Sequence, residues 1–438
     1  MLKKVLPLSG ILALRFLGLF LVLPVLSVYA MTLQGATPML VGIIVGGYAL
    51  TQAIFQVPFG TMSDKIGRKP TILVGLLIFL VGSVISAVST DIYTLMFGRF
   101  LQGAGAIGSV VTAMISDLVE EEVRGKAMAM MGGTIALSFA LAMGLGPVLG
   151  AHYGVDTLFW ITSVLAVLAM VLLFTKVPTP PKIKHIYHNT AKTSDILKDP
   201  NLLGMIIING MQKGLMTMAF VIIPLILTSD VFKWQKSDLW MAYVPAMLLG
   251  LVAMGPAAVF GEKHNKPKQI FLISIALFIL SFLLMGLSNS SVFFVVGVVS
   301  FFIAFNMMEP LVQSMISKFA KVHQKGAALG IANSFAYFMT FVGGTAAGIF
   351  LDFSNREVLG LSAAAIAFVW LLWTLKLQNP IKHSHLFIPE EHVDMQKLSG
   401  LEHEHIAEWY INETEKVVVV KYVSAMIDQE EIKAKIIK

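Results

Sequence analysis

The chain has 438 residues, 56% of them hydrophobic and 13% charged, with a formal net charge of +6, a mean hydropathy of +0.79 and a pI near 9.2. Soluble domains carry about a quarter charged residues, so a wholly soluble protein is excluded. The absence of cysteine excludes disulfides, thiolate metal sites and a cysteine nucleophile.

A bilayer core of about 30 Å needs roughly 20 apolar residues per helix. The first such run, near 6–30, ends in Val28-Tyr29-Ala30 and could mimic a signal peptide, but its apolar stretch is too long for one, so it is expected to remain as a first helix. Five more runs follow near 39–59, 71–89, 93–116, 127–151 and 157–175. After the polar linker VPTPPKIKHIYHNTAKTSDILKDP come runs near 201–228, 239–260, 269–287, 291–315, 327–350 and 357–375. The fold class is therefore an all-α polytopic membrane protein with about twelve spans.

With the N-terminus inside, Lys3, Lys4, Lys65, Arg68, Lys69, Arg124, Lys126, the linker lysines, Lys263, Lys266, Lys268, Lys318, Lys321 and Lys325 all face the cytoplasm, whereas the outer loops keep Lys233, Lys236 and Arg356. The positive-inside rule then sets both termini in the cytoplasm, and it explains the basic pI without any nucleic acid.

The two sets of six resemble each other. ISDLVEEEVRGKAMA after the fourth run aligns without a gap with ISKFAKVHQKGAALG after the tenth, and Gly146 and Gly150 pair with Gly344 and Gly348. Residues 1–176 and 201–380 thus read as two six-helix halves joined by a linker at 177–200. Such parallel repeats suit a carrier with its substrate site between the halves. From 383 to 438 acids outnumber lysines, and the pattern HSHLFIP, EHVDMQKLSG, IAEWYIN, KVVVVKY, DQEEIKAKIIK predicts β-α-β-β-α, a small ferredoxin-like α+β domain with little or no fourth strand. His-x-His occurs twice, at 383–385 and 403–405, but without cysteine or a clear carboxylate partner, so no metal and no cofactor is expected.

Ionisable groups inside spans are expensive and default to functional roles. Glu309, in FNMMEPLVQSMIS, is the one carboxylate well inside a predicted span, followed by Pro310. Withdrawn from water it can load and release a proton; alternatively it caps backbone groups or pairs with Lys318. Lys213, in NGMQKGLMTMAF, lies too deep to snorkel and is either a cavity cation or one half of a fixed pair with Glu309. Asn209, Gln212 and Asn306 share these helices and are expected beside the cavity. Arg15 lies close enough to the inner surface to snorkel and is expected to be structural. The 25 methionines and 29 phenylalanines could form an adaptable cavity or simply face lipid and core.

The stretch GTMSDKIGRKP at 60–70 places an acid and three bases between two apolar runs. Gly60 and Gly67 would allow a tight turn and close helix approach, and Arg68 could fork onto Asp117 at the end of the fourth run. This stretch resembles the G-x-x-x-D-[KR]-x-G-[KR]-[KR] signature of the major facilitator superfamily. Arg99-Phe100-Leu101-Gln102-Gly103 is similar to the family's R-x-x-Q-G element. Gly133 with Gly146-Pro147-Val148-Leu149-Gly150 resembles its antiporter motif, with Ala142 and Ala151 in place of usual glycines. The resemblance covers about residues 1–380. With its terminal domain the chain resembles the YajR-type, drug:proton-antiporter-like inner-membrane transporters.

That resemblance implies a proton-coupled secondary transporter, an efflux antiporter of small amphipathic or drug-like molecules, rather than an enzyme, working by alternating access as a monomer in the bilayer. It implies that Asp64 meets the start of the eleventh helix around Gly326-Ala327 in a conformational latch with Gly60, Gly67, Arg68, Asp117 and Arg124. It also implies that Arg99 and Gln102 line the cavity, and that Gly146, Pro147 and Gly150 serve helix packing. A small organic-anion importer and a membrane-embedded sensor with the terminal domain as reporter remain alternatives.

Overall fold

The computed structural model describes residues 2–178, 193–320, 324–377, 383–394, 397–398, 406–412, 416–423 and 426–437. Among these, the apolar runs form twelve spans of 19 to 29 residues. Spans 1 to 6 are Lys4–Ala30, Pro38–Ile66, Arg68–Ala87, Ile92–Leu118, Lys126–Tyr153 and Val155–Thr175. Spans 7 to 12 are Pro200–Thr228, Lys236–Lys263, Pro267–Leu287, Ser291–Phe319, Gly326–Phe353 and Arg356–Thr374. The end of each span that lies beside Asp64, Asp117 and Lys318 is called the basic end below, and the other the far end.

Two spans are not continuous helices, a feature the apolar pattern does not show. Span 1 breaks between Leu21 and Leu23, where Pro24 cannot donate to the preceding turn. Span 4 breaks between Ala104 and Gly108. Just before that break Gly103 lies on the Tyr48 carbonyl of span 2, and Gly105 lies on the Gly75 carbonyl of span 3. A side chain at either would collide with backbone, which gives the R-x-x-Q-G glycine a steric reason. The first break also serves packing: Gly146 of span 5 sits against the Leu21 carbonyl, and Gly150 packs on Val25 and Leu158.

The stretch at 60–70 is not the loop that its glycines suggest. Span 2 stays helical to Ile66 and span 3 starts at Arg68, so Gly67 alone makes the turn, at φ +102°, a conformation few other residues adopt. Gly60 makes no close approach; its nearest neighbour would be Ser109 in ordinary contact.

The two halves meet mainly at the far end. Span 2 packs on span 11, the second part of span 1 packs on span 7, and span 5 packs on span 8. Gly42 faces the Gly344 carbonyl, Gly46 faces Phe341, and Gly348 faces Pro38 and Met39, so the two backbones touch directly. An aromatic run joins the halves beneath this contact. Phe20 meets Phe139 of span 5 at 5.0 Å, and Phe139 reaches Phe220 of span 7 and Phe305 of span 10, both at 6.1 Å. Toward the basic end the halves part: Gly132 and Gly133 of span 5, Gly255 of span 8, and Gly326 and Gly330 of span 11 all face open space.

After span 12, strands β1 (His383–Pro389), β2 (Ile406–Asn412) and β3 (Val417–Val423) form an antiparallel sheet in the order β1-β3-β2. Leu386, Ile388, Val418, Val420 and Tyr422 alternate onto one face and pack against Ile432 and Ile436 of the helix Gln429–Ile436. This is the strand order of a ferredoxin-like sheet without its fourth strand. The expected helix over EHVDMQKLSG starts instead as a 3-10 turn at Glu390–His392, and its residues 395, 396, 399 and 400 lie outside the described residues. So do 403–405 and the side chains of His383 and His385.

The far-end contact leaves no room for side chains at Gly42. Gly42→Leu should therefore part the halves there, so that a cysteine at Thr217, buried beside Gly344, goes from unlabelled to labelled by a water-soluble maleimide. Unchanged protection would show that the glycine contact does not close that end.

Candidate functional site

The opening from the basic end leads to a single ion pair. Lys213 lies near the middle of span 7, and its Nζ donates to both Oε1 and Oε2 of Glu309 at 2.8 Å. Gln212 adds a third donor, with Nε2 3.1 Å from Glu309 Oε2 and 3.0 Å from the Phe305 carbonyl. The ammonium also stands 4.7 Å from the centre of the Phe305 ring. The side chains are 22% and 36% exposed, so water reaches the pair. Of the two possibilities for Lys213, the pair with Glu309 is the one formed. The alternative partner for Glu309 is taken, because Lys318 and Ser314 both bind Glu262 at the end of span 8.

The first half contributes two guanidinium groups, both enclosed by their own and neighbouring spans. Arg15 does not snorkel: it is fully buried, with Nη2 3.2 Å from Gln52 Oε1 and its guanidinium 5.3 Å from the Phe79 ring. Arg99 is equally buried and donates from Nη1 to Gln102 Oε1 at 2.7 Å, over the Tyr48 ring at 4.9 Å. Gln102 passes its amide to Ser83 at 2.9 Å, bracing span 4 on span 3. Tyr337 of span 11 stands beside Gln52, within electrostatic reach of both Arg15 and Glu309. Arg15, expected to be structural, is buried rather than snorkelling, and Tyr337 was missed by sequence reasoning, because it matches no motif and only the fold brings it beside Gln52.

The two asparagines expected in the cavity serve the scaffold. Asn209 donates to the Ala332 carbonyl at 3.0 Å, tying span 7 to span 11. Asn306 donates to its own helix at Phe302, 2.8 Å away, and packs on Gly250 of span 8.

At the basic end Arg68 joins three groups. Its Nη1 donates to Ser63 Oγ and Asp64 Oδ1, both at 2.6 Å, and its Nε donates to Asp117 Oδ2 at 3.0 Å. The expected fork onto Asp117 is thus a single bond, with the rest of the guanidinium turned to Asp64. Asp64 is 65% exposed, and open space rather than span 2 borders Gly326, so the Asp64 contact to span 11 is not made in this conformation. The Arg124 side chain lies outside the described residues.

The comparisons with known proteins agree with this geometry. The family model described as Major Facilitator Superfamily matches residues 8–344 and 215–426. The chain is 35% identical to the inner membrane transport protein YajR of Escherichia coli (strain K12) over 435 residues, covering 97% of this chain and 95% of that protein. It is 27% identical to the quinolone resistance protein NorA of Staphylococcus aureus (strain MSSA476), covering 81% and 92% of the two chains. The solved structure of the nucleoside transporter NupG superposes with a TM-score of 0.68 at 14% identity, over 86% of this chain and 99% of that one, which speaks to the fold alone. Twelve spans in two similar halves and a match along nearly the whole chain make this protein a member of the major facilitator superfamily, a transporter rather than an enzyme.

Proposed function

We propose that the protein is a proton-coupled exporter of small amphipathic molecules in a bacterial inner membrane, with its basic end in the cytoplasm. The observation that carries this is the Lys213–Glu309 pair, a partly exposed carboxylate and its ammonium partner among spans whose basic-end glycines face open space while the far-end glycines are in backbone contact. A proton on Glu309 cancels its attraction for Lys213 and changes the charge of the site by one unit. A carrier needs such a group, one whose proton occupancy alters what the cavity binds and which packing the halves prefer. YajR's name supports the membrane, and the NorA name supports export of drug-like molecules.

The basic end supplies the second element. When it shuts, the exposed Asp64 approaches the start of span 11 and can accept from its free N–H groups, while Arg68 holds it against Asp117. The contacts at 60–70 then stabilise the outward-open state, as a latch. We take the terminal domain to sense this change, on the ground that Lys421 of β3 donates to the Ala320 carbonyl at the end of span 10, 3.4 Å away.

Two outcomes test these roles. In proteoliposomes under an imposed pH gradient, with a panel of lipophilic cations and organic anions, Glu309→Gln should lower uptake at least about tenfold while ligand binding survives. Gradient-driven uptake equal to wild type would remove Glu309 from the coupling. Arg68→Ala should raise maleimide labelling of a cysteine at Gly330 from the basic side, and equal labelling would remove the latch.

A further inference from the structure

Lys213 spends its charge on Glu309, but Arg15 and Arg99 have no such partner. Both guanidinium groups are fully buried, Arg15 near the middle of span 1 and Arg99 eight residues into span 4 from the far end. Among the described residues no carboxylate pairs with either one, and each makes a single hydrogen bond to a glutamine. Among the described residues, Nε and Nη1 of Arg15, and Nε and Nη2 of Arg99, have no hydrogen-bond partner. The free atoms of Arg99 are the side-on edge of the guanidinium, whose two N–H bonds run parallel and match the two oxygens of a carboxylate or sulfonate.

The two cations belong to one cluster. Tyr48 lies under Arg99 and within electrostatic reach of Arg15. Tyr337, half-buried on the opening, adjoins the same group from the other half of the molecule. Two positive charges without a carboxylate partner among the described residues therefore lie together, with Tyr337 within electrostatic reach of both Arg15 and Glu309 and the aromatic run from Phe16 through Phe20 to Phe139 starting on the same span as Arg15. Charge buried without a counter-charge is costly and is retained where a ligand supplies the missing sign.

We propose that Arg15 and Arg99 form the head-group site for an anionic group, a carboxylate or sulfonate, of the transported molecule, whose flat apolar body lies on the adjoining phenylalanines. This rests on taking the opening between the halves as the transport site. Arg99 supplies the fork, Arg15 adds charge across Tyr48, and Tyr337 reports from the second half whether the site is filled. Substrates would then be amphipathic organic anions rather than lipophilic cations.

The test uses one ring with three charges. Naphthalene-2-sulfonate, 2-naphthylmethanol and a 2-naphthyl trimethylammonium salt are titrated by calorimetry into the purified full-length protein, with no pH gradient. The sulfonate should bind at least about tenfold more tightly than the alcohol, with the cation weakest. Arg99→Gln and Arg15→Gln should each bring the sulfonate close to the alcohol, and Arg99→Lys should restore part of the preference. The order in the wild type is decisive even where a variant fails to fold. Equal binding of the three, preference for the cation, binding of none, or an unchanged sulfonate preference in Arg99→Gln would overturn the assignment. Since no gradient is applied, this outcome is separate from whether Glu309 couples transport to protons.

Discussion

A single ion pair, Lys213 with Glu309, sets the terms for the middle of this molecule. Ammonium and carboxylate satisfy each other with two hydrogen bonds, and Gln212 holds the carboxylate in place. Because the partners sit on spans 7 and 10, the pair fastens two helices of the second half that both border the opening. Removing one member of such a pair leaves an uncompensated charge, at a cost of about 3–5 kcal/mol where burial is complete; here water reaches the pair, so the cost is smaller and a proton can arrive. The pair thus braces two spans at a place that water reaches.

Around the pair, the scaffold permits only certain movements. At the far end glycines bring spans 2 and 11 into backbone contact, and the phenylalanine run fills the space below. At the basic end small residues face open space, while Arg68 ties the turn between spans 2 and 3 to span 4. Rocking of the halves would exchange these conditions, parting the glycine contact and bringing Asp64 to span 11. The side chains that brace each half internally, Gln102 on Ser83 and Asn209 on Ala332, are buried within their own half. Each half can therefore move as a unit.

Much of this was legible in the chain. Apolar run length announced the spans, because a bilayer imposes a length that no local contact can override. Glu309 and Lys213 stood out because charge is rare where they lie. Their pairing was one of the alternatives left open, beside a cavity cation for Lys213 and Lys318 for Glu309, since 96 positions separate the two and only the fold decides. Arg15 was misjudged for a related reason: sequence depth suggested snorkelling, whereas the neighbouring spans close over it. The breaks in spans 1 and 4 depend on which carbonyl a glycine meets, as at Gly103 and Tyr48, and that is a property of packing. The asparagines at 209 and 306 look like cavity polar groups in one dimension but are consumed by carbonyls in three.

The chain's lack of cysteine makes a direct test practical, because introduced cysteines carry the only labels. Spin labels at Thr61→Cys of span 2 and Gly330→Cys of span 11 would report on one half each toward the basic end, and pulsed electron resonance would give the distribution of distances between them. If protonation of Glu309 governs the halves, that distribution shifts between acidic and neutral buffer in the wild-type background and stops responding to pH in Glu309→Gln. The same pH response in both proteins would contradict a switch at the Lys213–Glu309 pair.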